Sequence, residues 1–508
     1  MELVNVLESE KVHYNSLPDD FKDSFHCNRQ RDVVPACVVH PLTPGDVSAA
    51  VKTISKHNCH FAIKSGGHAM FEGASNADGG ITIDLKHLDT LELSVDGQTA
   101  RVGPGQRWGR VYEFFEEKGK VVVGGRVSNV GVGGFLLGGG ISFLGRKYGW
   151  ASDNVRNYEV VLANGSISNV NYESHPDLYW ALRGGAGNFG IVTAFDLEAY
   201  ELGPVWGGNN IHVLSDPLAR RTTLGIQRPF SFSLRYLIQS LCQLGIQVAT
   251  LLGRSTTSTA MIEALEDMIL NEKGDESYFQ YFLAFSYFQT PGVVAANVLH
   301  VHSAQPAPSS KPLAMLDLQA IGKPAYSTSS VRSLRSMVQE FDPYNVPGFR
   351  FIFHEITLRF NATVFQQIFD LFLEEIEAVK DLPGMFPTIV MQPISEIVRV
   401  GNNKNGGNPF GFSDDDGPIC VLSICPQWNR AEDDEAVKAS VARLSEMTMV
   451  LLEKEGLLHR WVYPNYASEV QDVFAGYGEE NRGKMKKIQR KYDPEGVFDR
   501  LQPGYFKV

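Results

Sequence analysis

The sequence predicts an α+β fold in two domains, on three observations. Through Leu202, short apolar runs alternate with glycine-rich loops, with helical periodicity after Asp46 and at 106–118 and 176–183. Over 262–459 long amphipathic stretches (Val364 to Val379, Asp433 to Glu455) interleave with aromatic-rich strands, Tyr278 to Tyr287 and Phe349 to Ile356. The 508 residues, 43% hydrophobic with 48 glycines, suffice for two cores and suit a loop-rich binding site. The second region reads as an antiparallel sheet backed by helices. Tyr463 to Phe506 then returns the chain to the first domain. The expected boundaries are an N-terminal extension (1–32), a first domain (33–205), a second domain (206–460) and the return (461–508).

Taken in order, Asp46 is placed to start an amphipathic helix whose Val47, Ala50, Val51 and Ile54 share one face. Phe61-Ala62-Ile63 then delivers the chain into Lys64-Ser65-Gly66-Gly67-His68. Two glycines let backbone N–H groups approach an anionic pyrophosphate without Cβ obstruction, and a histidine directly after them sits where a flavin ring edge would lie. A second stretch, Gly124-Gly125-Arg126 through Gly138-Gly139-Gly140, is too rich in glycine for a helix or regular strand unless a ligand presses on its backbone. A third, Arg183 to Gly190, contains GxGxxG. The dinucleotide reading of that motif requires a following helix, but Ile191 to Tyr200 alternates with period two and reads as a strand.

The succession of SGGH, VGVGG-x3-GGG, RKYGWASDNV, DLYWALRGGAGNFGIVT, YPNY and KYDPEGVF resembles FAD-linked oxidases of the berberine-bridge-enzyme type, especially fungal ones of secondary metabolism. The likeness covers most of 33–202 and 461–504. It implies a PCMH-type FAD-binding domain with a separate substrate domain, and FAD attached covalently through His68. By the same resemblance Lys64, Ser65, Gly66, Gly67, Val127, Val130, Gly131, Gly133, Gly134, Gly138, Gly139, Asp153, Asn154, Gly190, Ile191, Val192 and Asn465 surround the cofactor. Relatives with a second, cysteinyl bond carry the cysteine where this chain has Val127, so a monocovalent flavin is expected. Val130 occupies the oxygen-gate position, where valine accompanies oxidase behaviour, and Phe135 replaces a common histidine. In Tyr463-Pro464-Asn465-Tyr466 the last tyrosine is the first candidate for the proton acceptor, with Tyr148 as its partner. A phenol needs a cationic neighbour or hydrogen bonds to act so near neutral pH. His354 and Glu355, on opposite faces of a strand, are alternatives, and Gln427 and Trp428 are candidate substrate contacts.

The expected reaction is hydride transfer from a small polyketide- or alkaloid-like molecule to FAD, with O₂ as electron acceptor and H₂O₂ as product. A carbohydrate oxidase and a flavin-free binding protein on the same scaffold are the alternatives. A formal net charge of −12 argues against nucleic-acid or anionic-membrane partners. No run of apolar residues is long enough to span a bilayer, and the first residues have no basic and apolar leader pattern, so a cytoplasmic location is expected, with secretion left open should a segment precede Met1. The cysteines form no CxxC pair, which leaves no metal cluster in prospect and a Cys27–Cys37 bridge undecided. P-loop, HExxH, GxSxG and EF-hand patterns are absent. Residues 217–256, with Arg220, Arg221, Arg228, Arg235 and Arg254 and no acid, read as an insertion: either a lid or membrane-touching helix, or a lineage insertion or translated intron that the fold does not need.

Overall fold

The turn that carries His68 hangs from a four-stranded sheet ordered Val12–His13, Cys37–Val39, Ile81–Asp84, Phe61–Lys64, the last three strands parallel. These positions come from a computed structural model, which describes residues 2–14, 16–215, 244–249, 252, 255–270, 278–289, 292–303 and 321–508. The helix Pro44–His57 covers this sheet with its buried Val47, Ala50, Val51 and Ile54. It begins two residues before Asp46, because Thr43 is the N-cap and Asp46 closes a capping box by accepting from the Thr43 amide at 3.0 Å. Lys64 and Asp84 end adjacent parallel strands in register, so their side chains meet in a buried ion pair at 3.0 Å.

A second, antiparallel sheet of six strands includes Val155–Val161 and Ile191–Glu201. The GxGxxG segment therefore runs into a strand, as its period predicts. Helices Trp108–Glu116 and Pro176–Leu182 fall within the predicted windows.

The third sheet has eight strands, with Val205–Val213, Val293–His302, Tyr278–Phe288, Thr388–Pro393, Ile419–Ile424 and His354–Arg359 adjacent in that order and antiparallel. Strand alternation divides its residues between two environments. Tyr281, Leu283, Phe285, Ile389, Met391 and Leu422 share a core with helices Ser258–Leu270, Ala362–Ile376 and Asp434–Lys454. Phe282, Ala284, Ser286, Thr388, Val390, Gln392 and Ser423 instead face a cavity beneath the sheet. The predicted strand Phe349 to Ile356 is in fact two, since Arg350–Phe351 pairs with Gln427–Trp428 before His354–Arg359 joins the large sheet.

Residues 25–32 are not a loose extension. Asn28 Nδ2 donates to Gly348 O at 2.7 Å, Arg29 pairs with Glu469, and Asp32 meets Arg350 at 2.6 Å. Cys27 and Cys37 are both free thiols, Cys27 pointing to Met70 O at 3.5 Å. Of the arginine-rich segment, Arg220, Arg221, Arg228, Arg235 and Arg254 lie outside the described residues. Among the described residues no helix is long and apolar enough to cross a membrane, and no three His, Cys, Asp or Glu side chains are grouped to hold a metal.

Candidate active site

A cavity of about 460 Å³ lies between the glycine-rich loops and the large sheet. Its near wall is Ser65, Gly66, Gly67 and His68, then Val127, Val130, Gly131, Gly133 and Gly134, then Gly190, Ile191 and Val192. Several of these glycines are required by the protein itself, without any ligand. A Cβ on Gly131 would lie 2.4 Å from the Gly66 amide nitrogen, and one on Gly66 2.4 Å from the Gly131 Cα, so the two loops touch backbone to backbone. Gly138 gives way to the Asn465 carboxamide, which a Cβ would meet at 2.1 Å, and Gly139 backs onto Phe410. The glycine density thus reflects loop-on-loop packing more than the expected pressure of a ligand. Gly134 is the exception. It lines the cavity, and a Cβ there would meet nothing within 4 Å.

His68 is half-buried, but its Nε2 is shut off from solvent and has no hydrogen-bond partner among the described residues. Burial, then the Arg107 guanidinium, pulls its pKa down to about 4, which leaves a neutral imidazole at pH 7. An orphan ring nitrogen at the end of a glycine turn, facing a cavity with an open glycine wall, fits a flavin. Ser65 to His68, Gly131 to Gly134 and Gly190 to Val192 are the residues that would hold it.

Across the cavity stands Tyr466. Its phenolic oxygen accepts from Arg126 Nη2 at 2.8 Å, and the same nitrogen donates to Gln392 Oε1 at 2.5 Å. Arg126 Nη1 is buried with no partner among the described residues, and the guanidinium lies 5.7 Å from the Phe282 ring centroid. Arg126, not Tyr148, is therefore the residue beside the Tyr466 phenol. The sequence signal was available: a lone arginine inside a glycine run has no packing reason to be there. Asn465 also lines the cavity, its carboxamide donating to Phe135 O and to Tyr463 Oη, each at 3.1 Å.

Other predicted site residues stand elsewhere. Tyr148 stacks on Tyr200 with centroids 3.9 Å apart, away from the cavity lining. Lys64 is committed to Asp84. Asp153 accepts from the Trp150 amide and Asn408 Nδ2, Asn154 accepts from Lys404 Nζ at 2.6 Å, and both tether the loop 404–408 instead of lining the cavity. Gln427 lines the cavity, whereas Trp428 is buried behind it and donates to Asp434 at 2.8 Å. His354 has both ring nitrogens within hydrogen-bond reach of serines, Ser468 at 3.0 Å and Ser445 at 2.7 Å.

Glu355 is buried beneath the tyrosine turn, where it accepts from the Tyr463 amide at 2.9 Å and from Thr357 Oγ1 at 2.5 Å. Burial pushes its carboxyl up to about 8 from 4.5. The folded chain therefore binds one more proton than the unfolded chain between those values. This contribution to stability is complete below pH ~4.5 and is lost as pH rises through about 8. Glu355→Gln keeps an acceptor for the Tyr463 amide and removes the titration. Unfolding free energies measured from pH 5 to 9 should fall with pH more steeply in the parent than in the variant, by up to roughly 5 kcal/mol across the window. Parallel curves would show that Glu355 is ionised in the fold.

A profile of the family described as FAD binding domain matches residues 35–171. The FAD-dependent monooxygenase FUP4 of Fusarium proliferatum (strain ET1) is 34% identical over 486 residues, 94% of this chain and 86% of the relative. The chain belongs to this family of FAD-dependent oxidoreductases, which carry the FAD binding domain. The bifunctional solanapyrone synthase of Alternaria solani is 30% identical over 96% of this chain and 84% of its own. Among solved structures, xylooligosaccharide oxidase from Myceliophthora thermophila C1, in complex with xylobiose, superposes with a TM-score of 0.72 at 21% identity, each chain covered completely (100%). That likeness establishes the two-domain PCMH-type fold. As an FAD-dependent oxidoreductase of this family, the protein has its glycine loops on one side of the cavity and the family's YPNY tyrosine on the other.

Proposed function

We propose that this FAD-dependent oxidoreductase is an oxidase of a small, largely apolar, aromatic metabolite of polyketide or alkaloid type, with FAD joined to His68 alone. The observation that carries the reading is the facing pair: a neutral His68 imidazole whose Nε2 has no partner among the described residues on one wall, and the Arg126–Tyr466 hydrogen bond on the other. Bound FAD would accept hydride from the substrate and pass the electrons to O₂, giving H₂O₂. Tyr466 Oη takes the substrate proton, and Arg126, fixed by Gln392, stabilises charge that develops on that oxygen. Asn465 is locked by two hydrogen bonds and so presents an ordered carboxamide edge. Val127 offers no nucleophile for a second bond, and Val130 leaves the oxygen-gate position small.

The substrate class rests on the far wall. Phe282, Phe288, Phe341, Phe353 and Phe386 line it. Its carboxylate, Glu340, is already satisfied by Asn209 Nδ2 at 2.7 Å and by Arg332 and Thr328. A flat apolar molecule is better served there than a sugar whose every hydroxyl needs a partner.

Acid precipitation of the purified protein should leave the flavin on the polypeptide, and His68→Ala should release it. A wild-type flavin freed by acid would sink the covalent assignment. Aerobic screening of aromatic metabolites and oligosaccharides for H₂O₂ release tests the substrate class, and turnover of the sugars alone would reverse it.

A further inference from the structure

Residues 24–28 lay a second imidazole against the attachment turn. The His26 ring is stacked on that of His68, with centroids 4.0 Å apart and planes inclined by 16°, and it also stacks on Phe351 at 4.9 Å. Its backbone is held on both sides: the His26 amide donates to Gly67 O at 2.9 Å, and the Gly348 amide donates to His26 O at 3.0 Å. The fit is close enough that a Cβ on Gly67 would come within 3.1 Å of Ser24 O. His26 is itself 3% exposed, lines the cavity, and has an Nε2 without a partner among the described residues. Burial, then the adjacent His68, holds its imidazole well below the ordinary histidine range, so the stack joins two neutral rings at pH 7.

No step assigned so far uses His26. Covalent attachment, however, requires the plane of the His68 ring to be held while its Nε2 stays free. Its Nε2 makes no hydrogen bond that would fix the ring plane. A side chain joined to its backbone through an sp³–sp² torsion has a broad, roughly two-fold preference about it. Flat contact with a neighbour that is anchored through its own backbone removes that freedom without occupying a ring nitrogen.

We infer that His26 is a positioning residue for flavin attachment: its stacked ring fixes the plane of the His68 imidazole and keeps a ring nitrogen free to bond the cofactor. The inference rests on the covalent reading above. In the net reaction a C–H bond of the cofactor's 8α-methyl group is replaced by a C–N bond to His68. Two protons, one from the methyl group and one from the imidazole N–H, leave with two electrons in all, and O₂ takes them up as H₂O₂. His26 exchanges no proton in this step. It sets the angle at which the nitrogen meets the carbon, where a misplacement of about 1 Å costs on the order of 10²-fold in rate.

The test is the fraction of full-length purified protein whose flavin resists acid, read by intact mass and in-gel fluorescence, beside total flavin absorbance before acid. His26→Ala should bind FAD but lower the acid-resistant fraction about tenfold or more. His26→Phe, which retains a planar face and has no ring nitrogen, should attach flavin close to the wild-type extent. His26→Leu fills the space without a flat ring and should resemble the alanine variant, which keeps the test sound if alanine impairs folding. Wild-type attachment in His26→Ala or His26→Leu would overturn the inference and leave the covalent reading intact. A His26→Phe protein that binds FAD yet fails to attach it would also overturn it, because the stack would then be insufficient. Acid release of flavin from the wild type itself would overturn the covalent reading and this inference together.

Discussion

Tyr466→Phe should slow anaerobic reduction of the flavin by substrate by about 10²–10⁴-fold, the usual worth of a positioned general base. Flavin content should not change, because the ring that packs edge-on against Tyr463 at 4.9 Å and Phe353 at 5.3 Å is retained. The variant loses only the oxygen to which Arg126 donates. Stopped-flow reduction under argon separates this step from reoxidation by O₂. A wild-type reduction rate would remove the phenol from the proton path. The role would not then pass to His354 or Glu355, since neither lines the cavity.

The second large effect concerns stability. Gly131→Ala places a Cβ 2.4 Å from the Gly66 amide nitrogen and 2.5 Å from its Cα, both backbone atoms of a loop fixed at its far side. Relief requires the loops to separate, at a cost of about 3 kcal/mol or more. The variant should unfold at lower denaturant concentration and retain little flavin. Gly134→Ala is the control, because its Cβ meets no protein atom within 4 Å. In a His68→Ala background freed of flavin, that variant should match His68→Ala alone in denaturant midpoint, with any loss confined to flavin binding. Equal destabilisation by both substitutions would contradict the packing account.

Local motifs were legible wherever a residue's role is fixed by its chain neighbours. The SGGH turn, the period-two strand after GxGxxG and the YPNY tyrosine all stand where their patterns put them. The errors share one cause, which is that a side chain's partner lies on a distant strand or loop. Lys64 reads as a counter-charge for a cofactor until its register with Asp84 is known. Asp153 and Asn154 sit inside a family motif, yet their contacts are Asn408 and Lys404, more than two hundred residues away. His354 and Glu355 point to opposite faces, as the strand requires; Glu355 shares the face of its cross-strand partner Ser423 but is covered by the Tyr463 turn, and neither side chain lines the cavity. His26 has no motif at all, and only folding brings it to His68. The glycine-rich loop gave the reverse error, since its composition was correctly seen as special while the object pressing on it was mostly another loop of the same chain.

The cavity wall includes His26 near one end of the chain and Tyr505 near the other. A ribosome adding roughly 5–20 residues per second needs roughly 20–90 s to travel from the histidine turn to Tyr505. Throughout that interval the histidine turn is made but the cavity wall is not complete. Residues 25–32 wait longest, because Gly348, Arg350 and Glu469, which anchor them, are made late. The cavity is therefore closed only once Tyr505 has been made, and a chain halted before Tyr463 would carry His68 without Tyr466 across from it.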